Sequence, residues 1–410
     1  MCKIMYNSYD FVVFLDADWN ILGKRNRQHF LIPEIARLIE DKGSVLAIER
    51  PVCLVTGLLR QGSKFFRWLK RKKVLRQEAE NLFVYTPFIF LHNVLAASVP
   101  LLPKLNRLLM KWQIKRLLHK LVFRQESLIV WIHHPYQLED VGLVNERILV
   151  YDIFDDYLCR ANGKQSKDLK EREAKVLNRA DIVFVVSEKL LKVLDGRAKQ
   201  AHIIANGVDT SLFVKAADAE TEIPAQIAKL PHPIIGFVGK VAAWLDFKIL
   251  AKLAVSHPKW SLVFIGMCEE DNKLSDLPEY RLFRQSPNVH LLGPKIHTSL
   301  PGYIKGFDVC IIPYRLEGQV PSSSPLKLYE YLATGKPIVS VDIPHVAHFK
   351  PLVRVARNAD EFEKEVVNAL KESDNNLRLQ RLAVAQQNSW ERRAKRVLEI
   401  IEATLVGKQS

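Results

Sequence analysis

Cysteine is scarce: five in 410 residues, at positions 2, 53, 159, 268 and 310, with no CxxC pair. That excludes a disulfide framework and a zinc pattern, and it points to a reducing compartment. Long apolar runs are missing too. No uncharged stretch of 18 strongly apolar residues occurs, so no spanning helix is expected. The nearest approach, VYTPFIFLHNVLAASVPLLP at 84–103, carries His92, Asn93 and three prolines. A short buried strand followed by a loop suits it better than a span. The opening MCKIMYNSYDFVVFLDADWN meets acids before any long apolar run and is not expected to be a signal peptide. No G-x-G-x-x-G occurs, so nicotinamide chemistry has no support. Acids are in deficit: 45 Asp and Glu stand against 60 Lys and Arg, a formal charge of +15. Such an excess favours an anionic partner, whether nucleic acid, membrane surface or phosphorylated ligand.

What is present is a packed α/β chain, with 48% hydrophobic and 26% charged residues. Short runs rich in Val, Ile and Phe alternate with helical stretches. In the first half they are DFVVFLD (10–16), SVLAIE (44–49), SLIVWIHH (127–134), RILVYDIFDD (147–156), DIVFVVS (181–187) and AHIIANGVD (201–209). In the second half they are PIIGFVG (233–239), WSLVFIG (260–266), NVHLLG (288–293), DVCIIPY (308–314) and PIVSVD (337–342). Continuous apolar runs suit parallel strands buried on both faces, with helices completing βαβ units. The pattern restarts after the polar segment 211–233, which reads as a linker between two doubly wound domains. The expected division is 1–212, 213–385 and a C-terminal helix within 386–410. That helix is capped by Asn388 or Ser389 and buries Val397, Ile400, Ile401 and Leu405.

Doubly wound sheets bind ligands at the carboxyl ends of their strands. Four second-half strands end in Gly239, Gly266, Gly293 and Pro313, which fits either a binding rim or plain tight turns. The stretch SSSPLKLYEYLATGKP (322–337) begins a helix with three serines, a proline and Lys327. A helix N-terminus is an anion site, and a lysine in the first turn opposes the usual preference for an acid there. Ser322, Ser323 and Ser324 can cap the helix or donate to phosphate, and Glu330 is placed to accept from a ribose diol. A plain capped surface helix is the competing reading. In GFVGKVAAWLDF (236–247), Gly239 and Lys240 can cradle a diphosphate from the opposite side.

On these residues the chain resembles GT-B glycosyltransferases of group 1, and within them the teichuronic-acid and capsular-polysaccharide type. IIGFVGKVAAWLDFKIL, WSLVFIG, PNVHLLG, FDVCIIPY, NRADIVFVVSEKL and ANGVD fall in the family's order, and YDIFDDY and DWNILGKRNRQHFL are similar to segments of the same enzymes. The resemblance implies two Rossmann-like domains facing across a cleft, with the C-terminal helix crossing back to the first. It implies a nucleoside-diphosphate sugar on the second domain and a glycan or lipid-linked acceptor on the first. Glu330 would take the ribose. Ser323, Ser324, Leu326 and Lys327 would line the diphosphate, faced by Gly239 and Lys240. Residues after Gly266 and around Pro294 and Lys295 would border the base. It implies metal-independent, retaining transfer of a hexosyl group, with no cofactor. The triplet Asp16–Asp18 ends the first strand, in the wrong domain for the donor, and is not read as a metal site. The chain departs from the wider family at two places: Ser322 stands where a first glutamate is common, and Trp244 and Asp246 where a second cation is common.

On the acceptor side, WIHHPYQ (131–137) and YDIFDDY (151–157) end buried strands with histidines and acids. His134 and Asp155, with His133 next, are the candidates for binding sugar hydroxyls or removing the acceptor's proton. The basic segments 60–76 and 104–124 read as helices on an anionic membrane, or else as solvated faces. In 104–124, Leu105, Leu108, Leu109, Trp112, Leu117 and Leu121 form an apolar stripe, beside Arg107, Lys111, Lys115 and His119. No RNA- or DNA-binding motif accompanies the charge, so nucleic acid is not expected as a partner. The reading is a cytoplasmic glycosyltransferase, peripheral on the inner face of the cell membrane. Its rival is a catalytically inactive sugar-nucleotide-binding partner on the same fold.

Overall fold

A computed structural model describes residues 8–19, 26–55, 74–90, 101–159, 167–269 and 272–408. The strands of the first half are β1 (Asp10–Phe14), β2 (Val45–Ile48), β3 (Val52–Cys53), β4 (Leu75–Ala79), β5 (Leu82–Tyr85), β6 (Phe88–Ile89), β7 (Leu128–Ile132), β8 (Ile148–Ile153), β9 (Ile182–Val185) and β10 (Ala201–Ile203). Eight of them form a sheet of order β10-β9-β8-β7-β1-β2-β5-β4, and β3 and β6 pair apart. Every neighbour in the large sheet is parallel except β4, which joins β5 as an antiparallel edge. The second half supplies β11 (Ile234–Val238), β12 (Ser261–Ile265), β13 (Val289–Leu291), β14 (Val309–Ile312), β15 (Ile338–Val341) and β16 (Arg354–Ala356). They form an all-parallel sheet of order β13-β12-β11-β14-β15-β16.

The helices that matter to the site are α1 (Gln28–Leu38), α2 (Leu102–Lys120), α3 (Lys167–Arg179), α4 (Glu188–Leu194), α5 (Phe247–Ser256), α6 (Leu326–Thr334) and α7 (Trp390–Gly407). The apolar runs are continuous because each strand feeds two cores. Phe11 and Val13 of β1 pack with α1 and α7, while Val12 and Phe14 pack with α2, α3 and α4. Helix α7 is capped by Ser389, whose Oγ accepts from the Arg392 N–H. It buries Trp390, Val397, Ile400, Ile401 and Leu405 in the first domain's core.

The segment 211–233 is more structured than a linker reading suggests. Phe213 and Ile227 are fully buried in the second domain's core. Lys305 donates to the carbonyls of Asp218, Ala219 and Thr221, which fixes the segment to that domain.

The basic segments also need correcting. Residues 60–73 lie outside the described residues. Arg76, at the end of that segment, turns inward to Glu49 at 2.9 Å. In α2 the expected apolar stripe splits. Its buried face is Asn106, Met110, Gln113, Ile114 and Leu118. The two amides on that face stitch β6: Asn106 accepts from the Phe90 N–H, and Gln113 accepts from Phe88 N–H and donates to its carbonyl. Leu109, Leu117 and Leu121 are half-buried, whereas Leu108 and Trp112 are 63% and 55% exposed. Among the basic residues, Arg107 is engaged with the Glu139 and Val141 carbonyls. No helix of the described residues is long and apolar enough to cross a membrane.

Trp390 is the anchor by which a helix that follows the second domain in sequence joins the first. It is buried and stacks on Phe30 at 5.6 Å. Trp390→Ala is expected to lower the stability of the first domain by about 3–5 kcal/mol, read as a fall in the urea midpoint.

Candidate functional site

In the second sheet the strand order reverses between β11 and β14, which is where an open parallel sheet leaves a ligand crevice. The loops there are fixed by glycine. Gly239 and Gly266 have φ of +147° and +150°. A Cβ on Gly266 would lie 2.1 Å from the Gly239 carbonyl oxygen, so the two loops touch backbone to backbone. A Cβ on Gly239 would lie 3.1 Å from Lys327 Nζ. The lysine's ammonium is therefore packed tightly against the face that glycine leaves bare. That ammonium lies 4.9 Å from the ring centroid of Phe237 and 4.7 Å from that of Tyr314, and it donates to the Tyr314 hydroxyl. Two aromatic faces hold the cation without neutralising it.

Lys327 stands in the first turn of α6. This helix has Pro325 at its N-cap, no side-chain cap and no acid in its first turn. The exposed N–H groups, the dipole and the ammonium add in one place, the arrangement that binds an anion. Leu326 begins the helix and packs its side chain against the first domain's core.

The serines do less than the sequence suggests. Ser323 donates its hydroxyl and its N–H to the Val320 carbonyl, so neither is left for phosphate. The Ser324 hydroxyl is buried 3.4 Å from both the Asn206 N–H and the Tyr329 hydroxyl. Both hydroxyls serve the loop, because their partners lie in a turn and a domain that local sequence does not reveal.

Lys240 follows Gly239 as expected, but its ammonium donates to Glu269 at 2.7 Å and lies 5.2 Å from the Trp244 ring. The residues in place of a second cation have structural work: Asp246 caps α5 through the N–H groups of Lys248 and Ile249. Glu330 is almost buried and lies 3.3 Å from His297 Nε2. His297, which the sequence reading missed, also packs on Phe30 of α1 and on Phe213. Nothing in its local sequence marks it, since its partners are 33 residues or more away. Lys295, two residues before, lies 5.5 Å from the Tyr303 ring.

The first sheet reverses between β1 and β7, and the acceptor candidates gather at that edge. Asp16 follows β1 and pairs with Arg50 at 3.0 Å. His134 follows β7, where its Nδ1 accepts from the Tyr136 N–H at 3.2 Å and its ring lies 4.4 Å from Tyr157. Burial holds the His134 ring below its ordinary pKa, against the pull of Asp16. The neutral ring, with Nδ1 committed to the cap, presents Nε2–H as a donor rather than a base. Asp155 follows β8 on the same rim, beside Asp16 and Asp156. Burial, then Asp16 and Asp156, raise its pKa to about 7, where a general base works best near neutrality. His133 is fully buried 3.6 Å from Asp152, and burial lowers its pKa. The two rims meet: Ser322 Oγ lies 3.5 Å from Asp156 Oδ2. A carboxylate thus stands beside the position where many family members have a glutamate, but it comes from the other domain. Among the described residues no group of three or more His, Cys, Asp or Glu is arranged to hold a metal ion.

A groove of about 980 Å³ runs along α1 and α7, lined by Trp19, Phe30, Glu34, Arg37 and Trp390 among others. None of the site residues read from the sequence lines it.

Residues 232–372 match the family model described as glycosyl transferases group 1. The chain has the GT-B fold, and its second half is similar to group 1 glycosyltransferase domains. Sucrose-phosphate synthase from Thermosynechococcus elongatus superposes with a TM-score of 0.68 at 14% identity, over 97% of this chain and 100% of that one. Anabaena HepE in complex with UDP-glucose superposes with a TM-score of 0.63 at 14% identity, over 96% and 99%. More specifically, the chain is similar to a Bacillus subtilis strain 168 protein assigned to teichuronic acid biosynthesis, the glycosyltransferase TuaH. The two are 27% identical over 361 residues, 83% of each chain.

Asp155 gives a pH test. Its folded pKa lies above the unfolded value, so the folded state binds more protons between about pH 4 and 7. Its contribution to stability is full below about pH 4 and falls as pH rises to about 7. Asp140, also raised to about 7 by burial, gives a slope of the same sign. Asp155→Asn is therefore expected to flatten, without abolishing, the decline in urea midpoint across this window.

Proposed function

We propose that this protein transfers a hexosyl group from a nucleoside-diphosphate sugar to a glycan or lipid-linked acceptor in the biosynthesis of an envelope or capsular polysaccharide. The observation that carries the reading is Lys327, whose ammonium sits in the space beside Gly239 at the uncapped start of α6. When the sugar leaves, negative charge develops on the diphosphate. Preorganised donors and a cation at that point lower the barrier by several kcal/mol. Lys327 and the first-turn N–H groups at Leu326 and Lys327 take the diphosphate, with Lys240 opposite if it exchanges Glu269 for phosphate. Gly239 and Gly266 let the ligand approach the backbone. Glu330, oriented by His297, takes the ribose, and Lys295 borders the base. Asp155 accepts the acceptor's proton, and His134 donates to its hydroxyl. The reaction is read as metal-independent and retaining. UDP is the first nucleotide to test, since HepE holds UDP-glucose.

A thermal-shift series with UDP, GDP, ADP and TDP tests the donor site. One nucleotide is expected to raise the melting temperature, by an amount that grows with the logarithm of its concentration over its Kd, and Lys327→Ala and Glu330→Ala are each expected to lose that shift. A folded wild-type protein that responds to none of the four contradicts the reading. Binding without transfer or donor hydrolysis would favour the rival, an inactive sugar-nucleotide-binding partner.

The acceptor reading places the protein on the inner face of the cell membrane. Helix α2 supports this: Leu101, Leu105, Leu108 and Trp112 are exposed alongside Lys104 and Arg116, and Arg116 stacks on Trp112 at 5.4 Å. An apolar ridge flanked by cations suits an anionic lipid surface. Co-sedimentation with vesicles rich in phosphatidylglycerol, but not with pure phosphatidylcholine, is expected. Leu108→Glu with Trp112→Glu is expected to abolish it.

A further inference from the structure

Behind the start of α6 the two domains share a buried polar core that the catalytic reading does not use. Arg27, just before α1, is almost fully buried. Its Nε pairs with Asp152 at 2.9 Å, and its Nη1 donates to the Ala205 carbonyl at 3.1 Å and lies 3.4 Å from Asn206 Oδ1. Arg393 reaches the same place from α7. Its Nε donates to the Asn206 carbonyl at 3.3 Å and its Nη2 to Asn388 Oδ1. Asn206 is thus gripped through side chain and backbone by two guanidinium groups that lie far from it in sequence. Its own Nδ2 donates to the Ser324 carbonyl at 2.6 Å. Close by, the Ser187 hydroxyl donates to the Ser322 carbonyl, also at 2.6 Å.

The two carbonyls that flank Ser323 are therefore both tied to the first domain. These residues form the loop that leads into α6, so the ties set the direction in which the helix starts and its first N–H groups point. Pro325, which follows, has a fixed φ and passes that orientation on to Leu326 and Lys327. A helix start is an anion site only if its N–H groups converge on the ligand, and a misplacement of about 1 Å is enough to lose much of the effect.

We propose that Asn206 is a positioning residue for the donor site: clamped between Arg27 and Arg393, it fixes the loop at Ser324 so that α6 presents its first turn to a nucleoside diphosphate. The proposal rests on the donor reading given above. It makes the nucleotide affinity of the second domain depend on a carboxamide of the first, which does not touch the ligand.

Asn206→Asp separates positioning from folding. The variant keeps the volume and the oxygen that faces Arg27, and its added charge lies between two arginines. It replaces the N–H donor with an oxygen 2.6 Å from the Ser324 carbonyl oxygen, and two acceptors repel. Titration calorimetry of the full chain with UDP, beside its melting curve, reads both properties. The expected result is a UDP dissociation constant raised by about tenfold or more, with a melting temperature within a few degrees of wild type. Ser187→Ala, which removes the other tie, is expected to weaken UDP in the same direction, and it carries the test should Asn206→Asp fail to fold. Wild-type UDP affinity in a folded variant overturns the positioning role and leaves the donor reading intact. A wild-type protein that binds none of UDP, GDP, ADP and TDP removes both.

Discussion

The site depends on one steric fact: the Lys327 ammonium packs directly against Gly239, 3.1 Å from where a Cβ would stand. Glycine at φ +147° opens the space, and the neighbouring loop at Gly266 is itself so close that it admits no Cβ. Phe237 and Tyr314 then hold the ammonium by their faces instead of by a carboxylate. The charge stays available because its partners are rings and a hydroxyl. Lys240 presents the contrast. It ends the same strand but is paired with Glu269, so any use of its charge requires that pair to open.

The second constraint is the joining of the domains. Helix α7 belongs in sequence to the end of the chain but in packing to the first domain, through Trp390 and the apolar face behind it. It carries Arg393 into the polar core that also holds Arg27, Asp152 and Asn206. A buried ion pair such as Arg27–Asp152 contributes little over an apolar equivalent, but leaving either charge alone costs about 3–5 kcal/mol. What such a core supplies is a defined geometry between elements that meet only once the chain is folded. Here it lies between β8 of the first sheet and the loop that leads into α6.

Much of this was legible in the sequence. The strand runs that end at both candidate edges were readable because parallel strands buried on both faces leave continuous apolar stretches. Lys327 stood out because a cation at a helix start runs against local preference, and Gly239 and Gly266 because glycines recur at successive strand ends. The edge strand β4, LRQEA, went unread because a half-exposed edge carries charge and lacks the apolar signature. The roles of His297, Asn206 and Arg27 went unread for another reason: their partners are distant in sequence. The serines of α6 were over-read on the same account. Local sequence shows a hydroxyl beside a helix start, but not that Val320 or Asn206 already occupies it. In α2 the helix was legible and its buried face was not, because Asn106 and Gln113 face inward to bind the β6 backbone.

The most direct measurement of the central claim is a crystal structure of the protein with UDP. The account predicts the diphosphate at the first turn of α6, with an oxygen in contact with Lys327 Nζ and the ribose hydroxyls on Glu330. A nucleotide seated elsewhere, such as in the groove along α1 and α7, with Lys327 still enclosed by Phe237 and Tyr314, would contradict it.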